Sequence, residues 1–146
     1  MRKIFGHRGL PQIYIENTIK SLNKALEICD FVETDIRITK DEQLIFYHDP
    51  TIKNKKIEEL TLSEIKTFID IDISEIHFVS RDQIKGRANF ELKVNKEESE
   101  LNKIFINKVT NLTKQDDIIS SFDWETILNN RDCLLYTSDA ADDCWS

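Results

Sequence analysis

The feature that most constrains this chain is the way two hydrophobic rhythms take turns along it, one with the period of a strand and one with that of a helix. Residues 3–7 form a short apolar stretch that reads as a buried strand. Residues 18–29 then place Ile19, Leu22, Ala25, Leu26 and Cys29 at helical spacing, with Asn17 as the expected N-cap. Residues 31–39 are β-branched and strand-like, and residues 43–48 form a second extended piece after the Lys40-Asp41-Glu42 turn. Thr61-Leu62-Ser63-Glu64 is a capping-box pattern and predicts a helix whose apolar face is Ile65, Phe68 and Ile69. Residues 70–86 carry no decided pattern. Residues 87–94 predict a strand, followed by a helix with Leu101, Ile104, Phe105, Val109 and Leu112 on one stripe. Residues 117–122 predict a further strand, and Asp123 a cap for a short helix with Trp124, Ile127 and Leu128 facing inward. Strands exchanged with helices in this order predict an α/β fold, with a parallel sheet and crossover helices.

Composition narrows what such a sheet can serve. The chain has 146 residues, 40% hydrophobic and 32% charged, with a formal net charge of −7. A chain of this size folds as one globular unit that buries roughly two-thirds of its unfolded surface. The apolar runs are too short to span a bilayer. The first residues, MRKIFGHRGL, hold no secretory core. An acidic chain without a basic block does not suit nucleic acid, whose nonspecific binding comes from Lys and Arg at phosphates. Cys29, Cys133 and Cys144 show no C-x-x-C spacing, so neither a disulfide framework nor a structural zinc site is expected. A cytoplasmic location follows as the expectation. The last fourteen residues, CLLYTSDAADDCWS, hold none of the 20 Lys and Arg. Residues 133–146 are therefore read as an atypical tail, resembling translated adapter rather than native coding sequence, and residues 1–132 as the folded part.

Four short constellations carry possible chemistry. His7-Arg8-Gly9 falls at the end of the first strand, where ligands gather in parallel α/β folds. A histidine there can exchange protons near neutrality, and an arginine can present a planar fork to a phosphate. Glu33 and Asp35 alternate onto one face of their strand, as do Glu91 and Lys93 on theirs. Two carboxylates on a buried face need a cation or strong donors, although an edge strand facing water would satisfy them equally. Glu91 and Lys93 fit either a salt bridge or a third oxygen ligand with a phosphate partner. Three carboxylates without cysteine suit a hard cation, Ca²⁺ or Mg²⁺. His48-Asp49, just before Pro50, reads as a turn when taken alone. Beside an acidic triplet and an arginine, two histidines at strand ends are what metal-assisted cleavage of a phosphodiester requires.

The same residues carry a family resemblance. GHRGLPQIYIENT resembles the opening motif of the glycerophosphodiester phosphodiesterases, and FVETDIRITKDEQLIFYHDPTI their second motif. NFELKV resembles their third-strand Glu-x-Lys, and IISSF their fourth-strand Ser-Phe. The resemblance spans residues 4–122. It implies a TIM-type (β/α)₈ barrel of which about the first four βα units are present, with a small insertion at about residues 50–86. It implies hydrolysis of glycerophosphodiesters to glycerol 3-phosphate and an alcohol, through a cyclic phosphate that water then opens. His7 and His48 would be the acid/base pair, and Glu33, Asp35 and Glu91 the ligands of one divalent cation, Ca²⁺ or Mg²⁺. Arg8 and Lys93 would contact the substrate phosphate. Glu16 and Asn17 would brace the first loop, and Asp49 would support His48.

This sequence departs from the family pattern at Ile15, where proline is usual, and at Glu42, where a turn glycine is usual. The Pro-Thr-Leu stretch expected before the third strand is not recognisable in residues 70–86. A full barrel of this type takes about 250 residues. The chain as given is accordingly expected to be inactive and prone to associate through open sheet edges. Two other readings compete. One is a lysophospholipase D-like or sphingomyelinase D-like enzyme of the same superfamily; the other is a half-barrel that only binds metal or phosphate. A small-molecule partner is expected, and sequence leaves the oligomeric state open.

Overall fold

The structure, a computed structural model, describes residues 2–78 and 81–129. In chain order these form β1 (Phe5–His7), α1 (Ile19–Ala25), β2 (Phe31–Ile38), β3 (Leu44–Phe46), β4 (Thr51–Ile52) and β5 (Lys55–Lys56). They continue through α2 (Leu62–Phe68), α3 (Ile73–Ile76), β6 (Arg87–Leu92), α4 (Ser99–Leu112), β7 (Ile118–Ser120) and α5 (Trp124–Asn129). The main sheet has the order β1-β2-β6-β7, every neighbouring pair parallel, with β3 added antiparallel to the end of β2. The expectation for residues 133–146 lies outside the described residues.

Strand alternation gives the sheet two unlike faces. On one, Val32, Ile36, Ile38, Ala88, Phe90 and Leu92 pack with Leu22 and Ala25 of α1 and Phe105, Ile106 and Val109 of α4. On the other, Glu33, Asp35 and Arg37 of β2 line up beside Asn89 and Glu91 of β6. All eight residues of β2 are buried, because this strand lies in the middle and has cover on both faces. The hydrophobic core therefore lies under the helices, and the polar face is left for chemistry.

Beyond β2 the chain makes a separate small lobe. Glu42 takes φ 57°, which explains why a glycine would suit that turn. Lys53 and Asn54 both take positive φ, the conformation a tight two-residue hairpin needs between β4 and β5. Thr61 and Glu64 form the predicted capping box at the start of α2. Ile45, Ile52, Ile57, Leu60, Ile65 and Ile76 close a second apolar cluster in this lobe.

Several local expectations are corrected. Thr18, not Asn17, caps α1, accepting from Ser21 N, while Asn17 turns to φ 56° and its side chain points elsewhere. β1 is not a buried strand: Phe5 is 42% exposed, since β1 lies at the edge of the described sheet. In α4 the inward stripe runs through Asn102, Phe105, Ile106, Val109 and Thr110, leaving Ile104 outward. In α5 only Ile127 packs on the core, whereas Trp124 and Leu128 are exposed. Residues 70–86, unassigned from sequence, contain α3 and a 3₁₀ turn at Arg81–Gln83.

Candidate active site

Register explains why the charged groups meet. His7 is paired with Glu33, Glu33 with Asn89, Asp35 with Glu91, and Glu91 with Ser120. Paired residues on parallel neighbours point to the same side about 4.8 Å apart, so these pairings bring side chains of four strands onto one face. Carboxylate oxygens of Glu33, Asp35 and Glu91 lie within 4.8 Å of one another. Five predicted site residues besides these three reach the same place or its border: His7, Arg8, Glu16, Asn17 and Lys93.

The first loop is shaped by its glycine. Gly9 has φ +87°, and a Cβ there would meet Ser21 Oγ at 2.3 Å, so no other residue fits. The turn sends Arg8 back over β2. Arg8 N donates to Glu33 O at 2.9 Å and to Glu33 Oε2 at 3.2 Å. The Arg8 guanidinium lies 3.1 Å from Asp35 Oδ2 through Nε and donates to Glu16 Oε1 at 3.3 Å through Nη1. Asn17 Nδ2 donates to Asp35 Oδ2 at 2.9 Å, and Asn17 Oδ1 accepts from Asp35 N and from the Thr34 hydroxyl. Asn17 thus fixes the orientation of the Asp35 carboxylate, a role beyond the cap and loop brace expected of it. Its left-handed backbone is the signal that sequence alone does not carry.

Lys93 Nζ lies 3.1 Å from Asp35 Oδ1 and also contacts Glu91 Oε1. His7 Nε2 is 3.7 Å from Glu33 Oε2, with its ring open to solvent. His48 Nδ1 is hydrogen-bonded to Asp49 Oδ1 at 2.9 Å. That arrangement leaves the far nitrogen of His48 available, but the described contacts do not join His48 directly to the carboxylates. One residue that sequence did not single out does reach it: Arg37, two positions beyond Asp35 on the same face, donates to His48 O.

Burial and repulsion act together on the carboxylates. Loss of water around Glu33, with Asp35 and then Glu91 close by, pushes its carboxyl up to about 7, against the bond from Arg8 N. Glu33 Oε1 is buried with no hydrogen-bond partner. A buried acceptor left bare is costly, and it marks a place where a cation fits. Three hard oxygen donors converging on one point match Mg²⁺ or Ca²⁺ in donor chemistry. The residues present therefore fit a divalent ion, with Lys93 supplying positive charge to two of them.

In parallel α/β folds, ligand and catalytic groups collect at the carboxyl ends of strands, which is where β1, β6 and β7 place this acidic cluster. The chain matches the glycerophosphoryl diester phosphodiesterase family over residues 7–75. It is 30% identical over 140 residues to a human lysophospholipase D, covering 79% of this chain and 42% of that protein. The structure superposes on glycerophosphodiester phosphodiesterase from Thermotoga maritima with TM-score 0.68 and 27% identity, covering 90% of this chain and 59% of that one. It superposes on an Oleispira antarctica phosphodiesterase, solved in complex with the product sn-glycerol-3-phosphate, with TM-score 0.71 and 19% identity, covering 90% and 62%. The family match and the named homologues together support the glycerophosphodiester phosphodiesterase family for this chain. Its structural neighbours are TIM-barrel proteins. The chain spans less than half the length of the curated relatives it matches. Among the described residues no helix is long and apolar enough to cross a membrane.

Proposed function

We propose that this chain carries the metal- and phosphate-binding part of an enzyme that hydrolyses glycerophosphodiesters to glycerol 3-phosphate and an alcohol. The observation that carries the proposal is the in-register convergence of Glu33, Asp35 and Glu91 beside Arg8, Lys93 and His7. Glu33, Asp35 and Glu91 would hold one Mg²⁺ or Ca²⁺, which would neutralise charge gathering on the phosphate oxygens. Arg8 offers a planar fork to the same phosphate and is held in place by Glu16 and Asp35. Lys93 adds a second positive charge on the opposite side of Asp35.

His7 and His48 approach from different elements, one at the end of β1 and one beyond β3, which suits a division into acid and base. One accepts the proton of the attacking hydroxyl and the other gives a proton to the departing alcohol oxygen. Asp49, bonded to Nδ1, orients the His48 ring and leaves Nε2 for proton transfer.

A second reading, a lysophospholipid substrate with the same chemistry, is favoured by the long match to the human lysophospholipase D. We assign a cytoplasmic location and a small-molecule partner, and place residues 1–132 in the barrel domain. The 146-residue chain by itself should be inactive, because Phe5 and Ile118 on the polar side of the sheet are exposed and its described edges are open.

The test compares the product of the complete open reading frame on glycerophosphocholine and lysophosphatidylcholine, with Mg²⁺, with Ca²⁺ and with EDTA. Release of glycerol 3-phosphate that EDTA abolishes supports the first reading. Preferential cleavage of lysophosphatidylcholine to choline and a lysophosphatidic acid supports the second. No metal-dependent release from either substrate would overturn both.

A further inference from the structure

Arg37 stands out among the buried charges because its partners are not those of a metal site. It is the third charged residue on the polar face of β2, after Glu33 and Asp35, and its side chain is 9% exposed. Nε and Nη2 both donate to a single acceptor, the carbonyl oxygen of His48, at 3.1 and 2.7 Å. Nη1 faces Glu58 Oε1 at 3.6 Å, and the Glu58 side chain is 8% exposed. Burial pushes the guanidinium pKa down, with Glu58, Asp35 and Asp49 pulling it back up, and the group remains charged.

His48 lies beyond the end of β3, outside regular structure. Next to the β2–β3 ladder, Tyr47 N donates to Asp35 O at 3.0 Å. Two bonds from one planar guanidinium to the His48 carbonyl restrain the 48–49 peptide. Asp49, which precedes Pro50, is restricted in turn to extended backbone. Together these set the direction in which the His48 side chain leaves the main chain.

We propose that Arg37 is a positioning residue for His48, locking the histidine to the same strand that carries Glu33 and Asp35, with Glu58 holding the guanidinium in place. The proposal rests on the reading of His48 as an acid/base group. Its consequence is specific. A lysine at 37 keeps the charge opposite Glu58 but cannot grip one carbonyl with a rigid fork. A mere charge partner for Glu58 would be replaced by lysine without loss; a positioning fork would not.

The chain has three histidines, so imidazole resonances can be assigned one by one in the intact 146-residue protein. Arg37→Lys is expected to shift or split the Hε1 resonance of His48 while those of His7 and His77 stay in place. Should Arg37→Lys fail to fold, the double variant Arg37→Met/Glu58→Gln removes both buried charges together and gives the same readout. In the product of the complete open reading frame, Arg37→Lys is expected to lower kcat about 10–10²-fold, the cost of a misplaced catalytic group, with little change in KM. An unmoved His48 resonance, equal shifts in all three histidines, or full rescue of kcat by lysine would each overturn the proposal. A wild-type protein without activity would defeat the proposed reaction, and the resonances would still decide the role of Arg37.

Discussion

His7 and His48 differ in how firmly each is held, and that difference shapes what their loss should do. His7 is exposed at the tip of an edge strand, 3.7 Å from Glu33, while His48 is oriented by Asp49 and by its own gripped carbonyl. Replacing either by alanine removes no buried contact, so folding should survive. Turnover by the product of the complete open reading frame should fall about 10²–10⁴-fold, the usual worth of an acid or base. Steady-state kinetics on glycerophosphocholine checks this, and a rate near wild type would remove that histidine from the reaction. Glu33 makes a second, independent expectation. Its carboxyl is raised to about 7 from an ordinary 4.5, so between those values the folded chain holds a proton that the unfolded chain has released. In EDTA this contribution to stability is complete below the ordinary value and is lost as pH rises through about 7. Urea unfolding at a series of pH values should show that decline, and Glu33→Gln should flatten it. An equal decline in the variant would assign the effect elsewhere. The carboxylate triplet itself was legible, since strand alternation needs only residue spacing. The bonds of Asn17 to Asp35 and of Arg37 to His48 were not, because both depend on backbone that departs from regular structure.

At the scale of elements, local signals with fixed spacing were readable and signals that depend on neighbours were not. The Thr61–Glu64 capping box announces α2 within four residues, and the structure has both of its reciprocal bonds. Asn17 and Thr18 are both good caps by type, and the choice fell to Thr18 because Asn17 is drawn to Asp35. The inward faces of α4 and α5 were misjudged because helical periodicity marks an apolar side but not which part of it the sheet covers. The hidden element was the Arg81–Gln83 turn, which carries a buried ion pair. Arg81 Nε donates to Asp117 Oδ2 at 2.5 Å and Nη1 to Ile84 O at 2.7 Å, and Nη2 also reaches Gly86 O. Asp117 in turn accepts from Ala88 N and Lys114 N, so one carboxylate ties the starts of β6 and β7 together. Arg81→Met would leave that carboxylate buried without its cationic partner, held by the two backbone N–H groups alone. The expected loss is about 3–5 kcal/mol, measured by chemical denaturation. A loss under about 1 kcal/mol, typical of a surface pair, would show that Asp117 is not dependent on Arg81.

For the whole molecule, the order of elements was enough to predict a parallel α/β sheet, and the sheet explains why distant residues meet. Residues 33 and 35 are brought beside residue 91 by the β2–β6 pairing, although the lobe of β4, β5, α2 and α3 is inserted between them in sequence. Two unlike faces divide the labour: one packs on helices and stabilises, and the other gathers charge. The gathered charge is proposed to be a cation site. The direct measurement is calorimetric titration of Mg²⁺ and Ca²⁺ into the metal-free chain, wild type and Glu91→Gln, with circular dichroism to verify that both are folded. The expected result is a single site in the wild type, with proton release as Glu33 gives up its hydrogen, and at least tenfold weaker binding in Glu91→Gln. Absence of binding by the folded wild type, or equal affinity in the variant, would contradict the assignment of Glu33, Asp35 and Glu91 as a metal centre.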